Sequence, residues 1–471
     1  MRAVVVLGVA LAAGCSFDRS GLGSQQNGSA DASVIDAPAN VPDTPPGTPD
    51  APPSVPDAKC TDTCAGMTLQ TCGGPDQQCD LGCSMTGGAH CEVIVPSNGA
   101  TDADDLTGVT GALTATNGLI VAIDTDTGSI LSTTDLQNWT TVRDPGTGVI
   151  AGISYRQENG LAVFGVDSID WMGGSYIRPY NNHGVIFLAR NDIEIDGYVD
   201  LSGGCNDSQN QFVRSCAGPG GGTGGAIGAA GMGCAGGGAS VHQTGQPDSG
   251  GGGGGFGKDG GNGGDGDGTH KGGAGGKASG CTGATLVPLV GGGGGGGGGT
   301  GAVGGGGGGA VQFTSLLGSI TMNTTANTPA TVDAGGRGGG ASAGAGGGGG
   351  GAGGGILLEA RAITMLGANV TSNGGGGGAG RVGTTNGIGG KGSATSATPA
   401  AGGVDDINGK GGGGDGGAGT TGATAGQGPT DGGGGGGGAI GRVRFNVPMA
   451  SLSITGGVVS PAQSRGDLTL Q

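Results

Sequence analysis

The chain has 471 residues, 128 of them glycine, with aromatics at only 3% and a formal net charge of -17. Glycine brings no side chain to a core and loses the most backbone freedom on folding, so a conventional compact core is excluded and any fold must be thin and repetitive. Nineteen Lys and Arg against 36 Asp and Glu exclude a nucleic-acid binder, because phosphate backbones are held by cationic side chains.

Met1 and Arg2 make a short positive start, followed by an apolar run from Ala3 to Ala13 that is too short to span a bilayer. The run ends in Leu11-Ala12-Ala13-Gly14-Cys15. A positive start, a short apolar core and small residues before a cysteine resemble a bacterial lipoprotein signal peptide with its lipobox. Ala12 stands where that family prefers leucine. The resemblance implies removal of residues 1–14, lipidation of Cys15 and, with Ser16 after the cysteine, sorting to the outer membrane. An ordinary cleaved secretory signal is the alternative.

Residues 15–59 are dominated by Pro, Asp, Ser, Gly and Ala and show almost no apolar periodicity. Such a segment buries too little apolar surface to offset its ordering entropy and predicts a disordered tether. Its proline-rich half is stiffened toward polyproline II at about 3.1 Å per residue, which would hold the folded part clear of the membrane.

Residues 60–91 form a six-cysteine module. Cys60, Cys64 and Cys72 have the spacing C-x3-C-x7-C, which Cys79, Cys83 and Cys91 repeat. With Cys205, Cys216, Cys234 and Cys281 these make an even number once Cys15 is set aside, and export favours disulfides over zinc or a cluster. The pairing of the six stays open, and so does the metal alternative, with His90 as the natural extra ligand.

Residues 92–471 carry short β-type runs bounded by Gly, Asp, Asn or Thr, and no stretch keeps helical periodicity over three turns, so the class is all-β. Three runs come first, Gly118 to Asp124, Gly148 to Tyr155 and Gly160 to Val166. A longer unit begins at Gly184, where Val185, Phe187, Ala189, Ile193, Ile195, Val199 and Leu201 alternate with their neighbours through three short strands. It returns from Gly309, Gly355 and Gly438. Units that cannot cover their own apolar face must stack on the next. At these residues the chain resembles the coils of filamentous haemagglutinin-like adhesins. The resemblance implies a right-handed parallel β-helix, an inward stack of Val, Ile, Leu and Ala, and insertions at outward turns.

Those insertions are the glycine tracts of residues 203–440, with runs such as Gly291 to Gly299 and Gly432 to Gly438. Their texture is similar to that of PE-PGRS-type glycine-rich surface proteins, although the helical amino-terminal domain of that family has no counterpart here. Two states are open to the tracts: disordered loops, or polyproline-II-type strands packed side by side, which side-chain-free backbones permit.

Candidate chemistry is thin. GGNGGD, ending in Asp265, matches half of a calcium-binding nonapeptide but occurs once, with Asp267 in place of the apolar anchor. Asp192, Glu194, Asp196 and Asp200 alternate with the apolar positions of one unit near Arg178 and Arg190, which reads as a solvated strand face. The histidines His90, His183, His242 and His270 sit in unrelated contexts. No residue set is read as catalytic and no cofactor is expected. The expected function is a non-enzymatic structural or adhesive surface lipoprotein, whose partners are the membrane through the lipid and surface polysaccharide or other envelope proteins. A β-helical polysaccharide lyase or hydrolase is the alternative.

Overall fold

The computed structural model describes residues 60–79, 81–206, 212–242, 248–266, 270–325, 328–342, 345–380, 387–405, 410–428 and 432–471. The leader, Cys15, the tether and Asp267 lie outside the described residues.

The chain is all-β with almost no helix, the one α-helical turn among the described residues being Asp102–Asp105. Three mostly parallel sheets dominate. Five times in succession the chain crosses sheet one, then two, then three: Leu161–Val166, Ile169–Trp171 and Tyr176–Tyr180; Gly184–Ala189, Ile193–Ile195 and Tyr198–Asp200; Ala310–Ser315, Ile320–Asn323 and Thr331–Asp333; Gly355–Glu359, Ile363–Leu366 and Asn369–Thr371; Arg442–Asn446, Leu452–Thr455 and Val458–Ser460. Each strand pairs in parallel with its counterpart in the next circuit.

Alternation fixes what lies inside, because successive side chains leave opposite faces of a strand. In sheet one Val185, Val311, Ile356 and Val443 share one inward column, and Phe164, Phe187, Phe313, Leu358 and Phe445 the next. Four of the chain's seven phenylalanines thus fall in one column. Phe187 and Phe313 stack at 5.2 Å, and the indole of Trp171 meets both edge-on at 5.5 and 5.8 Å. Sheets two and three add Ile193, Ile320, Ile363 and Val199, Val332, Val370, all fully buried.

The sequence pattern announces four units, whereas the structure contains a further circuit at Leu161–Tyr180, and the run at Gly160 to Val166 is its first strand. Ahead of it Leu113–Ala115 and Ile120–Asp124 still pair in parallel with Ile169–Trp171 and Tyr176–Tyr180, and the outer edges then turn antiparallel, with Ile130–Thr133 and Thr140–Arg143 added to Ile120–Asp124 on sheet three and Gly148–Ile150 and Ile153–Glu158 added to Leu161–Val166 on sheet one. Fully buried Arg143 ties these hairpins together, donating to the carbonyls of Gly128, Asp144, Gly146, Gly148 and Ile153.

Sheet one is covered outside as well. Ile94, Ala100, Leu106 and Val109 pack on Leu161, Val163, Ile186 and Leu188. Ser97 donates to Glu359 from its amide at 3.0 Å and its hydroxyl at 2.6 Å. Val93 and Val95 pair with the last residues, Thr469 and Gln471. The cysteine module is closed by Cys60–Cys72, Cys79–Cys91 and Cys64–Cys83. First joins third within each triplet and second joins second between them, so the sequence repeat is also a repeat of the staple. Cys205–Cys216 and Cys234–Cys281 complete the set.

The glycine tracts leave sheet three after Asp200, Asp333 and Thr371 and re-enter sheet one at Ala310, Gly355 and Arg442, all at one corner of the circuit. They are packed, not loose. Gly250 and Gly253 donate to Gly264 and Gly261, Gly251 and Gly254 to Gly347 and Gly350, Gly252 and Gly255 to Gly238 and Ala235. Their carbonyls accept in the same order from Gly273 and Gly276, Gly436 and Ala439, Gly296 and Gly293. Residues three apart face the same neighbour, the period of a polyproline-II helix, and one segment touches six others. The segments at 292–297 and 347–352 repeat the pattern. A Cβ on Gly253 would collide with the carbonyl oxygen of Gly437, so this spacing requires glycine.

Candidate functional site

Outward positions of sheet three carry a polar ladder. Tyr176 and Tyr198 are register partners, as are Asp200 and Asp333, and Arg178 follows Tyr176 at the next outward position of the same strand. The two rings stack at 5.6 Å and 8°. Asp200 accepts from Tyr176 and Arg178 on one oxygen and from the Ser202 amide (3.0 Å) and hydroxyl (2.5 Å) on the other. Asp333 accepts from the Tyr198 hydroxyl at 2.9 Å and the Gly335 amide at 2.9 Å, and Lys391 lies 2.7 Å away. Arg178 also donates to the Gly204 carbonyl at 2.5 Å.

This corrects the reading of Asp200 as a solvated acid. It does point outward, but Lys391 from a later glycine insertion covers that face, and the residue is only 5% exposed. Asp196 is likewise buried and accepts from the Asn323 amide. Glu194 does stand at the surface of sheet two, while Asp192 holds the Ser319 amide at 2.7 Å.

Burial pushes the Asp200 carboxyl up, but Arg178 and Lys391 outweigh it and hold the group below the usual carboxylate range. Burial, then Asp333, raises the Tyr198 phenol, and burial with Asp200 raises that of Tyr176, so both are held as neutral donors. For Arg178, burial works against the charge but Asp200 prevails, and the guanidinium is held more firmly charged.

At its amino-terminal end the ladder opens into a cleft of about 490 Å³ lined by Ile120, Ala122, Leu136, Trp139, Tyr176 and Arg178, with Gly204 and Cys205. Trp139 and Leu136 are exposed on the turn between Ile130–Thr133 and Thr140–Arg143. Asp135 holds that turn, accepting from the amides of Gln137 and Asn138 at 2.9 and 2.8 Å and from the Asn138 side chain at 2.7 Å. These hydrogen bonds pull its carboxyl well below the ordinary range. Sequence reasoning missed the cleft because Trp139, Tyr176 and Gly204 come from three separate stretches; the polar residues Tyr176, Arg178 and Tyr180 at two-residue spacing were its local signal.

The remaining candidates do not gather. Asp265 pairs with Lys271 at 2.7 Å and accepts from the Gly272 amide. His90 bonds the Gly88 carbonyl, His183 Asp126 and His242 Asp248. The ten cysteines from Cys60 to Cys281 are all in disulfides. Among the described residues no group of three or more His, Cys, Asp or Glu is placed to hold a metal, and no helix is long and apolar enough to cross a membrane. No protein-family model matches the chain, and no curated protein or solved structure matches it either.

Proposed function

We propose that the chain is a non-enzymatic bacterial surface lipoprotein, anchored in the outer membrane through Cys15, with a structural or adhesive role. In this reading the three-sheet stack is a right-handed parallel β-helix, the hand that parallel strand connections almost always take, and the glycine bundle is a rigid buttress at one corner. The observation that carries the non-enzymatic half is the saturation of the sheet-three acids: both oxygens of Asp200 and of Asp333 already meet donors or a lysine. A general base needs an unengaged lone pair within reach of substrate. The anchor rests on the sequence from Met1 to Cys15.

A polysaccharide-active enzyme is the second reading, favoured by the gathering of Asp200, Asp333, Arg178 and Lys391 on one face beside a cleft. A panel of uronic-acid and neutral polysaccharides separates the two. Saturable binding without turnover is expected, and turnover of any member would establish the enzyme. For the anchor, Cys15→Ala is expected to abolish palmitate labelling and release the protein from membranes; unchanged labelling would refute it.

A further inference from the structure

Lys391 brings an amine to a carboxyl group that water does not reach. Its Nζ lies 2.7 Å from Oδ2 of Asp333, whose side chain is 0% exposed, and 4.0 Å from Asp200. The lysine arrives on the insertion between Asn369–Thr371 and Arg442–Asn446, whereas Asp333 ends the strand Thr331–Asp333, so folding alone brings the two together.

The two carboxylates differ in what holds them. Asp200 is engaged by the Arg178 guanidinium, which with Lys391 keeps it below the usual carboxylate range. Asp333 meets neutral donors besides the lysine. The Tyr198 hydroxyl donates to Oδ2 at 2.9 Å, the oxygen that Lys391 faces, and the Gly335 amide donates to Oδ1 at 2.9 Å. A buried ion pair bears the cost of taking two charges out of water, and a neutral amide made from the same two groups does not. Fixed contact also supplies the effective concentration that an amine and a carboxylate lack in free solution.

We infer that Lys391 and Asp333 condense into an intramolecular isopeptide bond that ties the later glycine insertion to sheet three. Nζ passes one proton to Oδ2, and the amine so formed attacks Cγ of Asp333. Negative charge gathers on Oδ1, where the Gly335 amide already donates. A second proton then moves from the nitrogen to Oδ2, the Cγ–Oδ2 bond breaks, and that oxygen leaves as water beside the Tyr198 hydroxyl. One N–C bond forms and one C–O bond breaks. An ammonium and a carboxylate become an amide and one water, so charge balances and neither oxidant nor co-reactant is consumed. The bond persists because its carbonyl is closed off from water.

The test is mass mapping of the full folded chain after denaturation, reduction and trypsin digestion. Trypsin cuts after Lys277, Arg337, Arg381, Lys391 and Lys410. A branched peptide is expected in which 278–337 is joined to 382–410, lighter by one water than the two together and uncut after Lys391. Lys391→Arg keeps a cation but has no primary amine, and should release 278–337 and 382–391 as linear peptides of unmodified mass, with the circular dichroism of the native chain. The native map decides without the variant. Linear 278–337 of unmodified mass beside peptides cut after Lys391 would overturn the inference. So would a water lost from a linear peptide instead, or a branch that persists in Lys391→Arg. None of these peptides contains Cys15, so the result stands apart from the anchor and from the surface role.

Discussion

In the sheets, side chains do the holding: Phe187, Phe313, Ile320 and Val332 point inward at a period of two, and the backbone supplies a regular ladder between circuits. In the glycine bundle, side chains are absent from segments such as 250–255 and the period is three, so successive peptides reach different neighbours, peptides three apart reach the same one, and six segments surround one. Both satisfy the requirement that buried amides and carbonyls be paired. They differ in what they tolerate: the stack accepts exchange among apolar side chains of similar volume, whereas the bundle accepts none where a Cβ would meet a carbonyl.

Removing a side chain is therefore the way to break the stack. Phe313→Ala deletes a ring that stacks on Phe187 and meets Trp171 and is expected to cost about 3–5 kcal/mol in a urea titration. Adding one is the way to break the bundle. Gly253→Ala places a methyl against the Gly437 carbonyl and is expected to cost about 1–3 kcal/mol, whereas the same change in an ordinary exposed loop would be neutral or mildly stabilising. A neutral Gly253→Ala would show that the segments are not close-packed.

Acid sharpens the comparison, since the sheet-three ladder is charged and the close-packed segments at 250–255, 292–297 and 347–352 carry no ionisable side chain. The Asp200 carboxyl is held below its unfolded value, so its contribution is present above the unfolded pKa of about 3.9 and is lost as the pH falls through the folded value. The urea midpoint of the native protein is expected to fall more between pH 7 and pH 2 than that of Asp200→Asn, and parallel curves would contradict this. The smallest effect has the opposite sign. Burial, with Asp196, Asp170 and Asp192 adding to it, raises the Glu194 carboxyl, so its favourable contribution is complete below the unfolded pKa and lost as the pH rises through the folded one. Glu194→Gln is expected to raise the midpoint slightly at pH 7 and not at pH 3.

Much of the sheet framework was legible because alternation is a local signal: Val185 to Leu201 and its three returns appear as stacked strands. The circuit at Leu161–Tyr180 was not recognised as a unit because Tyr176, Arg178 and Tyr180 fill its outward positions where the later copies carry smaller residues such as Thr331 and Asn369. The disulfide staple was readable from the doubled spacing, but its pairing was not, since spacing alone does not say which sulfurs meet. The order of the bundle had no side-chain pattern to announce it. Asp200 was placed on the correct face with the wrong surroundings, because its cover, Lys391, arrives from a distant insertion. The cleft was hidden for the same reason, as Trp139 and Arg178 meet only through the sheet.

Hydrogen–deuterium exchange resolved to the segments at 250–255, 292–297 and 347–352 is the most direct test of a bundle held by its own main chain. Amides paired to six surrounding segments should exchange as slowly as those of Gly355–Glu359, over minutes to hours. Complete exchange within seconds, beside a protected Gly355–Glu359, would show these segments to be loose loops and contradict the account.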